Sequence, residues 1–340
     1  MPVSRYLIPC AALFLLLPSC TTFLDPQLAA LSKEPLSSEP RARGVGPWSF
    51  SDHSGSLIST QHYRIFTTID DPVFSHMVIR VLEAAHDRAE ALVPGASLTG
   101  SVKLNSPLDC YVFSSRGQWE SYTRERAGSN APIYLQISSG GYCQEGVFAG
   151  YDIGRQQTLS VIAHEAWHQY SWFAFKSRLP AWLEEGLATQ NEAIEWSEAQ
   201  PVFRPELNQS RMAALKLAWH GGKMWPLLDL LSTHAGLVIK MPQSSIDAYY
   251  AQLWSLVLFL EHSPLYSGRL QALLSDAASG KLTQSLIGTT VTQQEIDHFT
   301  EHWNTIAGPT YLQKYVNSDL TALEGEYRSW VRDFVRTGTP

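Results

Sequence analysis

His164-Glu165-Ala166-Trp167-His168 is the stretch whose residue types and spacing could do chemistry. Two histidines four apart on a helix lie one above the other, so both imidazoles can reach one point. Neutral imidazole nitrogen binds Zn²⁺ at about 2.0–2.1 Å, and two such ligands make half of a tetrahedral site. Glu165 directly follows the first of them. There its carboxylate stands beside a metal rather than on it, placed to accept a proton from an activated water. The pattern is short, and a helix face carrying solvated His and Glu reads the same way, so a third ligand is needed. The surrounding run Thr158–Phe173 has no Pro or Gly and is mostly apolar, which predicts a buried helix.

A carboxylate of the right kind follows in Pro180–Glu192, PAWLEEGLATQNE. This segment reads as a second helix with Pro near its first turn. Leu183 and Leu187 mark its apolar side, and Glu185 faces elsewhere, stacked with Thr189 and Glu192. His164, His168 and Glu185 would make a His₂Glu set for one zinc with an open fourth position. That is the form of a catalytic zinc, whereas structural sites are closed and rich in Cys. Glu184 projects about 100° away from Glu185 round the helix, so the two cannot both face a metal. Glu192 reads as a partner to a ligand imidazole, with a solvated carboxylate as the alternative.

The two segments together, HEAWHQY and WLEEGLATQNE, resemble the gluzincin metallopeptidases. Thermolysin and the aminopeptidases related to leukotriene hydrolase carry comparable Glu ligands. The chain is also similar to uncharacterised bacterial gluzincin-like domains that pair a WLxEGLA segment with a later YAQ-x-W helix, here Tyr250-Ala-Gln-Leu-Trp254. The resemblance spans roughly residues 140–275. It implies His164, His168 and Glu185 as ligands, with Glu185 preferred to Glu184 because it precedes Gly186. It also implies Glu165 as the base, and Tyr250 ahead of Tyr249 as the hydroxyl that steadies the oxyanion. The implied fold is α+β, a thermolysin-like zincin domain with a small mixed sheet followed by a mainly helical lower half.

The elements that must position these residues follow from the rest of the chain. Its 340 residues are 44% hydrophobic and 17% charged, ordinary globular composition, and a net charge of −7 leaves no footprint for nucleic acid. Residues 1–19 read as a signal peptide: Arg5 precedes the apolar run Tyr6–Leu17, too short to span a bilayer. The run ends in Leu17-Pro-Ser-Cys20, which resembles a bacterial lipobox with Cys20 lipidated; the alternative is a signal peptide cut elsewhere. Either reading puts the domain outside the cytoplasm, and the first ties it to a membrane. Residues 20–48 read as a disordered tether.

An N-terminal α+β subdomain is expected over 49–155. It comprises a strand from His62, a helix from Pro72 to about Leu92, a strand Leu108–Phe113, a helix Gln118–Arg126 and a strand Ile133–Ile137. The glycine-rich Ser139–Asp152 reads as a hairpin whose edge accepts an extended peptide, or simply as a flexible connector. Residues 156–340 read as the zinc helix and a helical subdomain, with capping boxes at Thr292–Glu295 and Thr321–Glu324. His76 and His86 lie ten apart in no ligand register and read as surface or core histidines. Cys110 and Cys143 are free to pair in an oxidising compartment. The expectation is a zinc-dependent peptidase acting on peptide or protein substrates. Two alternatives stand beside it: another zinc hydrolase on the same site, and a non-catalytic, surface-anchored binding protein stabilised by zinc.

Overall fold

The computed structural model describes residues 10–13 (backbone only), 42–93, 107–138, 140–298 and 300–340. Apart from the backbone of 10–13, the expected leader, the expected lipidation site Cys20 and the expected tether up to residue 41 lie outside the described residues. The fold is mixed α+β, with a sheet followed by helices. Its strands are β1 (Cys10–Leu13), β2 (Gly44–Phe50), β3 (His53–Ser59), β4 (Tyr63–Thr67), β5 (Leu108–Phe113), β6 (Gly140–Gln144) and β7 (Val147–Tyr151). They lie in the order β1-β6-β7-β5-β4-β3-β2. β5 pairs in parallel with β4 and with β7, and the other pairs are antiparallel.

A parallel pair needs a crossover, and α1 (Pro72–Leu92) supplies it between β4 and β5. Asp71 caps α1 by accepting the Phe74 N–H at 3.0 Å, and Pro72 occupies a first-turn position where no N–H is required. Helix α2 (Arg116–Ala127) then connects β5 to the short α3 (Ala131–Tyr134). The hairpin β6–β7 leads into α4 (Arg155–Ala174). After α5 (Ala181–Thr189) and the hairpin of β8 (Ile194–Ser197) and β9 (Gln200–Phe203), the chain is helical to its end. That half contains α6 (Gln209–His220), α7 (Leu227–Ser232), α8 (Ala235–Val238), α9 (Gln243–His262), α10 (Ser267–Ser279), α11 (Gln293–His298), α12 (Glu301–Tyr315) and α13 (Leu320–Thr337).

Four expectations are corrected. Residues 44–48 belong to β2 and not to a tether; β2 is an edge strand, where Gly and Pro47 are tolerated. Ile133–Ile137 is no strand: Pro132 opens the turn of α3, and the buried pair Tyr134 and Ile137 has helical spacing. The β8–β9 hairpin turns on Glu198 and Ala199, both at positive φ (50° and 62°), without the Asn-Gly or Asp-Gly that usually announces such a turn. Finally, Asp319 rather than Thr321 caps α13, accepting the N–H groups of Thr321 and Ala322 at 3.0 Å.

Two hydrophobic cores result. One lies between the sheet, α1 and the first half of α4, through Leu159, Val161, Ile162, Ala163 and Ala166. The other fills the helical half and takes Trp167, Tyr170 and Ala174 from the same helix. The motif His164–His168 therefore sits where α4 passes from one core to the other.

Candidate metal centre

α4 has no acidic residue in its first turn; Thr158 ties the turn down, its hydroxyl accepting the Ile153 N–H at 3.0 Å. Every residue from Thr158 to Ser171 is buried. α5 is placed against it by three contacts. The Ala181 N–H at its start donates to Asn304 Oδ1 at 2.8 Å, and the Trp182 indole donates to the Gly308 carbonyl at 3.3 Å. Gly186 lies against α9 so closely that a Cβ there would stand 2.6 Å from Val257 Cγ2 and 3.1 Å from the Leu253 carbonyl oxygen. The Glu-Gly step thus has a packing reason: only glycine lets α5 approach α9 at the residue after Glu185.

With the helices so placed, the three candidate ligands converge. Glu185 Oε2 lies 3.4 Å from His164 Nε2 and 3.7 Å from His168 Nε2, and none of the three residues is more than 3% exposed. Each imidazole is held from behind by its own carboxylate. His164 Nδ1 is 2.9 Å from Glu192 Oε1, and His168 Nδ1 is 3.0 Å from Glu184 Oε1. Glu192 is in turn gripped by Arg211, whose Nε and Nη2 donate at 2.8 and 2.7 Å, and by Asn208 Nδ2 at 3.0 Å. Ser171, one turn beyond His168, donates its hydroxyl to Glu184. Burial alone would push the Glu185 and Glu192 carboxyls up. The imidazoles around Glu185, and Arg211 with His164 around Glu192, instead hold both down to about 2.

This donor set fits a zinc ion. An Nδ1–H given to a carboxylate leaves Nε2 as the lone-pair nitrogen. His164 Nε2 and Glu185 Oε2 are then buried acceptors facing one another, neither with a hydrogen-bond partner in the protein. A proton on either imidazole can satisfy the Glu185 carboxylate, and with both Nε2 lone pairs bare the same three atoms can share a cation. Two imidazoles and a carboxylate are the set that suits zinc.

Glu165 is wholly enclosed on α4, on the side near the Cys110 thiol of β5. Tyr250 is 2% exposed and does not line the cleft; its ring centroid lies 5.1 Å from the Arg211 guanidinium carbon, placing it behind Glu192. Gln252 and Trp254 of the same helix brace the lower half. Gln252 holds the Trp225 backbone at both N–H (2.7 Å) and carbonyl (3.2 Å), and Trp254 donates to the Pro205 carbonyl at 2.9 Å.

A cleft opens on the His168 side of the cluster. It is bounded by Glu184, Glu185 and Ser171, by the β6–β7 hairpin at Cys143–Glu145, and by an apolar wall of Trp172, Phe175, Leu179 and Trp303. The hairpin is an ordered part of the sheet rather than a flexible connector, and the outer edge of β6 carries β1 in antiparallel register. Cys110 and Cys143 do not pair with one another. They oppose Phe148 from either side, so β7 stands between them and a disulfide is excluded.

Sequence reasoning missed Glu184, Ser171, Asn208 and Arg211. Ser171 at i+3 from His168 was a readable signal, and Glu184 became one once the two helices were known to pack. Nothing local marks Arg211. Compared with protein-family models, curated proteins and solved structures, the chain matches none of them.

Proposed function

We propose that this chain is a zinc-dependent peptidase of gluzincin type that hydrolyses peptide bonds outside the cytoplasm. The observation that carries the reading is the convergence of His164 Nε2, His168 Nε2 and Glu185 Oε2 at one buried point, with a carboxylate behind each imidazole. Zinc bound there supplies a Lewis acid that lowers the pKa of water and polarises the scissile carbonyl. Glu192 and Glu184 keep the Nδ1 protons in place, so the inner lone pairs stay aimed at the ion. Glu165 accepts the proton of the attacking water as its oxygen bonds to the carbonyl carbon, and returns it to the amine as the C–N bond breaks. The resemblance names Tyr250 as donor to the oxyanion, a role that its place behind Glu192, off the cleft, does not support. The apolar wall of the cleft receives a large apolar side chain of the substrate. An edge that can hold β1 by main-chain hydrogen bonds can hold an extended substrate in the same way. With residues 1–19 removed and Cys20 acylated, the enzyme is held at a membrane surface.

Glu165→Gln tests the reading, since it preserves size and removes the base. The variant is expected to fold and to keep about one zinc per chain while peptide turnover falls by about 10²–10⁴-fold. A wild-type protein that holds zinc but cleaves nothing in a diverse peptide library, with Glu165→Gln indistinguishable from it, would replace this reading with that of a zinc-stabilised binding protein.

A further inference from the structure

We propose a second divalent-metal site, remote from the cleft, in which His62, His86 and Asp87 take a zinc-like transition-metal ion. Among the described residues, two groups of histidines and carboxylates have ligand atoms close enough to share an ion: the centre above, and these three, whose ligand atoms all lie within 4.8 Å of one another. His62 precedes β4, and His86 and Asp87 stand near the end of α1.

The fixed member is His86. It is 2% exposed, and neither of its ring nitrogens has a hydrogen-bond partner. Burying polar groups unpaired is costly, so an imidazole in that condition calls for a ligand. Its Nδ1 faces the Asp87 carboxylate at 4.0 Å, too far for a hydrogen bond but close to the separation of two ligands on one ion.

His62 is prepared in the same manner as the two imidazoles of the first centre. Its Nδ1 lies 2.6 Å from Glu83 Oε2, while Glu83 Oε1 accepts the His62 backbone N–H at 3.0 Å. That clamp leaves Nε2 as the lone-pair nitrogen. The His62 and His86 rings stack at 3.7 Å with planes 5° apart. Tetrahedral bonds of about 2.0–2.1 Å would bring the ligand atoms to roughly 3.3 Å from one another, so the stack must splay when the ion enters. The movable parts allow it: the His62 side chain is 26% exposed and that of Asp87 75%, while His86 stays anchored. The ion would pin the start of β4 to the end of α1. Because ligands must move, it binds less tightly than the preformed cluster of His164, His168 and Glu185.

The test is titration of the full chain, already loaded with zinc at the first centre, with Co²⁺ followed by its visible absorption and by calorimetry. Wild type is expected to take up an equivalent of Co²⁺ that His62→Ala and Asp87→Asn each weaken by at least about tenfold. Co²⁺ should raise the melting temperature of wild type and not of His62→Ala. Asp87 lies outside the core, its side chain 75% exposed, so the Asp87→Asn arm stands even if His62 or His86 variants fold poorly. The comparison between variants does not depend on what the first centre does. Absence of any uptake beyond the first centre, or uptake equally tight in wild type and both variants, would overturn the proposal.

Discussion

Replacing Glu192 by Gln keeps the shape of the side chain but removes the charge that His164 and Arg211 share. The same holds for Glu184 behind His168. Loss of such an outer partner lowers metal affinity by about 10–100-fold in other metal sites, and each variant is expected to fall in that range in competition with a chromophoric chelator. Affinities equal to wild type in both would show that the outer carboxylates do not prepare the ligands. Glu192→Ala should behave differently, because it strands Arg211, 2% exposed, without its counter-charge. Such a loss is worth about 3–5 kcal/mol, readable as a lower urea midpoint. Tyr250→Phe removes only a hydroxyl and tests the oxyanion role that the resemblance implies: in that role kcat would fall by about 10²–10³-fold at constant zinc content. An unchanged kcat would leave Tyr250 as packing over Arg211 alone.

At the scale of elements, the contact of α5 with α9 sets where Glu185 stands. Gly186→Ala would drive a methyl to 2.6 Å from Val257 Cγ2, and neither helix can retreat without moving a core residue. Overpacking of this kind costs about 1–3 kcal/mol, and here the shift should also weaken zinc. Val257→Ala opens space opposite, so the double variant is expected to recover part of the zinc affinity lost in Gly186→Ala; no recovery would mean that another contact positions the helix. Helices whose starts carry a local signature were legible. Asp71-Pro72 opens α1, and Thr292 with Glu295 does form its capping box, with N–H to Oε2 at 2.8 Å and N–H to Oγ1 at 3.3 Å. That box opens only the short α11, and Thr300 starts α12 afresh by accepting the Trp303 N–H at 3.1 Å. Strands at the sheet margin were not legible, because an edge strand tolerates the Gly and Pro that otherwise signal a linker.

The molecule as a whole carries a pH dependence outside the cleft. His86, ordinarily near 6.5, is held down to about 4 by burial and then by His62, against the opposing pull of Glu83. The unfolded chain binds a proton there near 6.5 and the folded chain does not until about 4, so stability is intact above 6.5 and drains away as pH falls across that window. The loss amounts to up to about 3 kcal/mol. Urea midpoints of chelator-treated protein at pH 7, 6 and 5 should fall in wild type and stay flatter in His86→Gln; parallel curves would count against it. The address is a separate matter. If Cys20 is acylated, the protein partitions with membranes and Cys20→Ser leaves the precursor uncleaved at that point. A mature chain beginning elsewhere without acyl groups, seen by mass spectrometry, would end the lipoprotein reading.

The sequence by itself determined the pieces that depend on spacing within one helix: two histidines on one face, Glu165 beside them, and Glu185 followed by glycine. Helical geometry converts such spacing directly into direction. Only the tertiary structure decided what stands behind those groups. Glu184 was read as facing away from the metal, and that same rotation carries it to the back of His168 once α5 packs on α4. Arg211 and Asn208 reach Glu192 from a helix on the far side of a hairpin the sequence did not announce. His86 was judged against a partner in its own helix, whereas its neighbour is His62, from the turn before β4. Cys110 and Cys143 are parted by a strand whose place between them is a matter of sheet order. Contacts of this sort are made by chain segments distant in sequence, and the packing that joins them has no period to read.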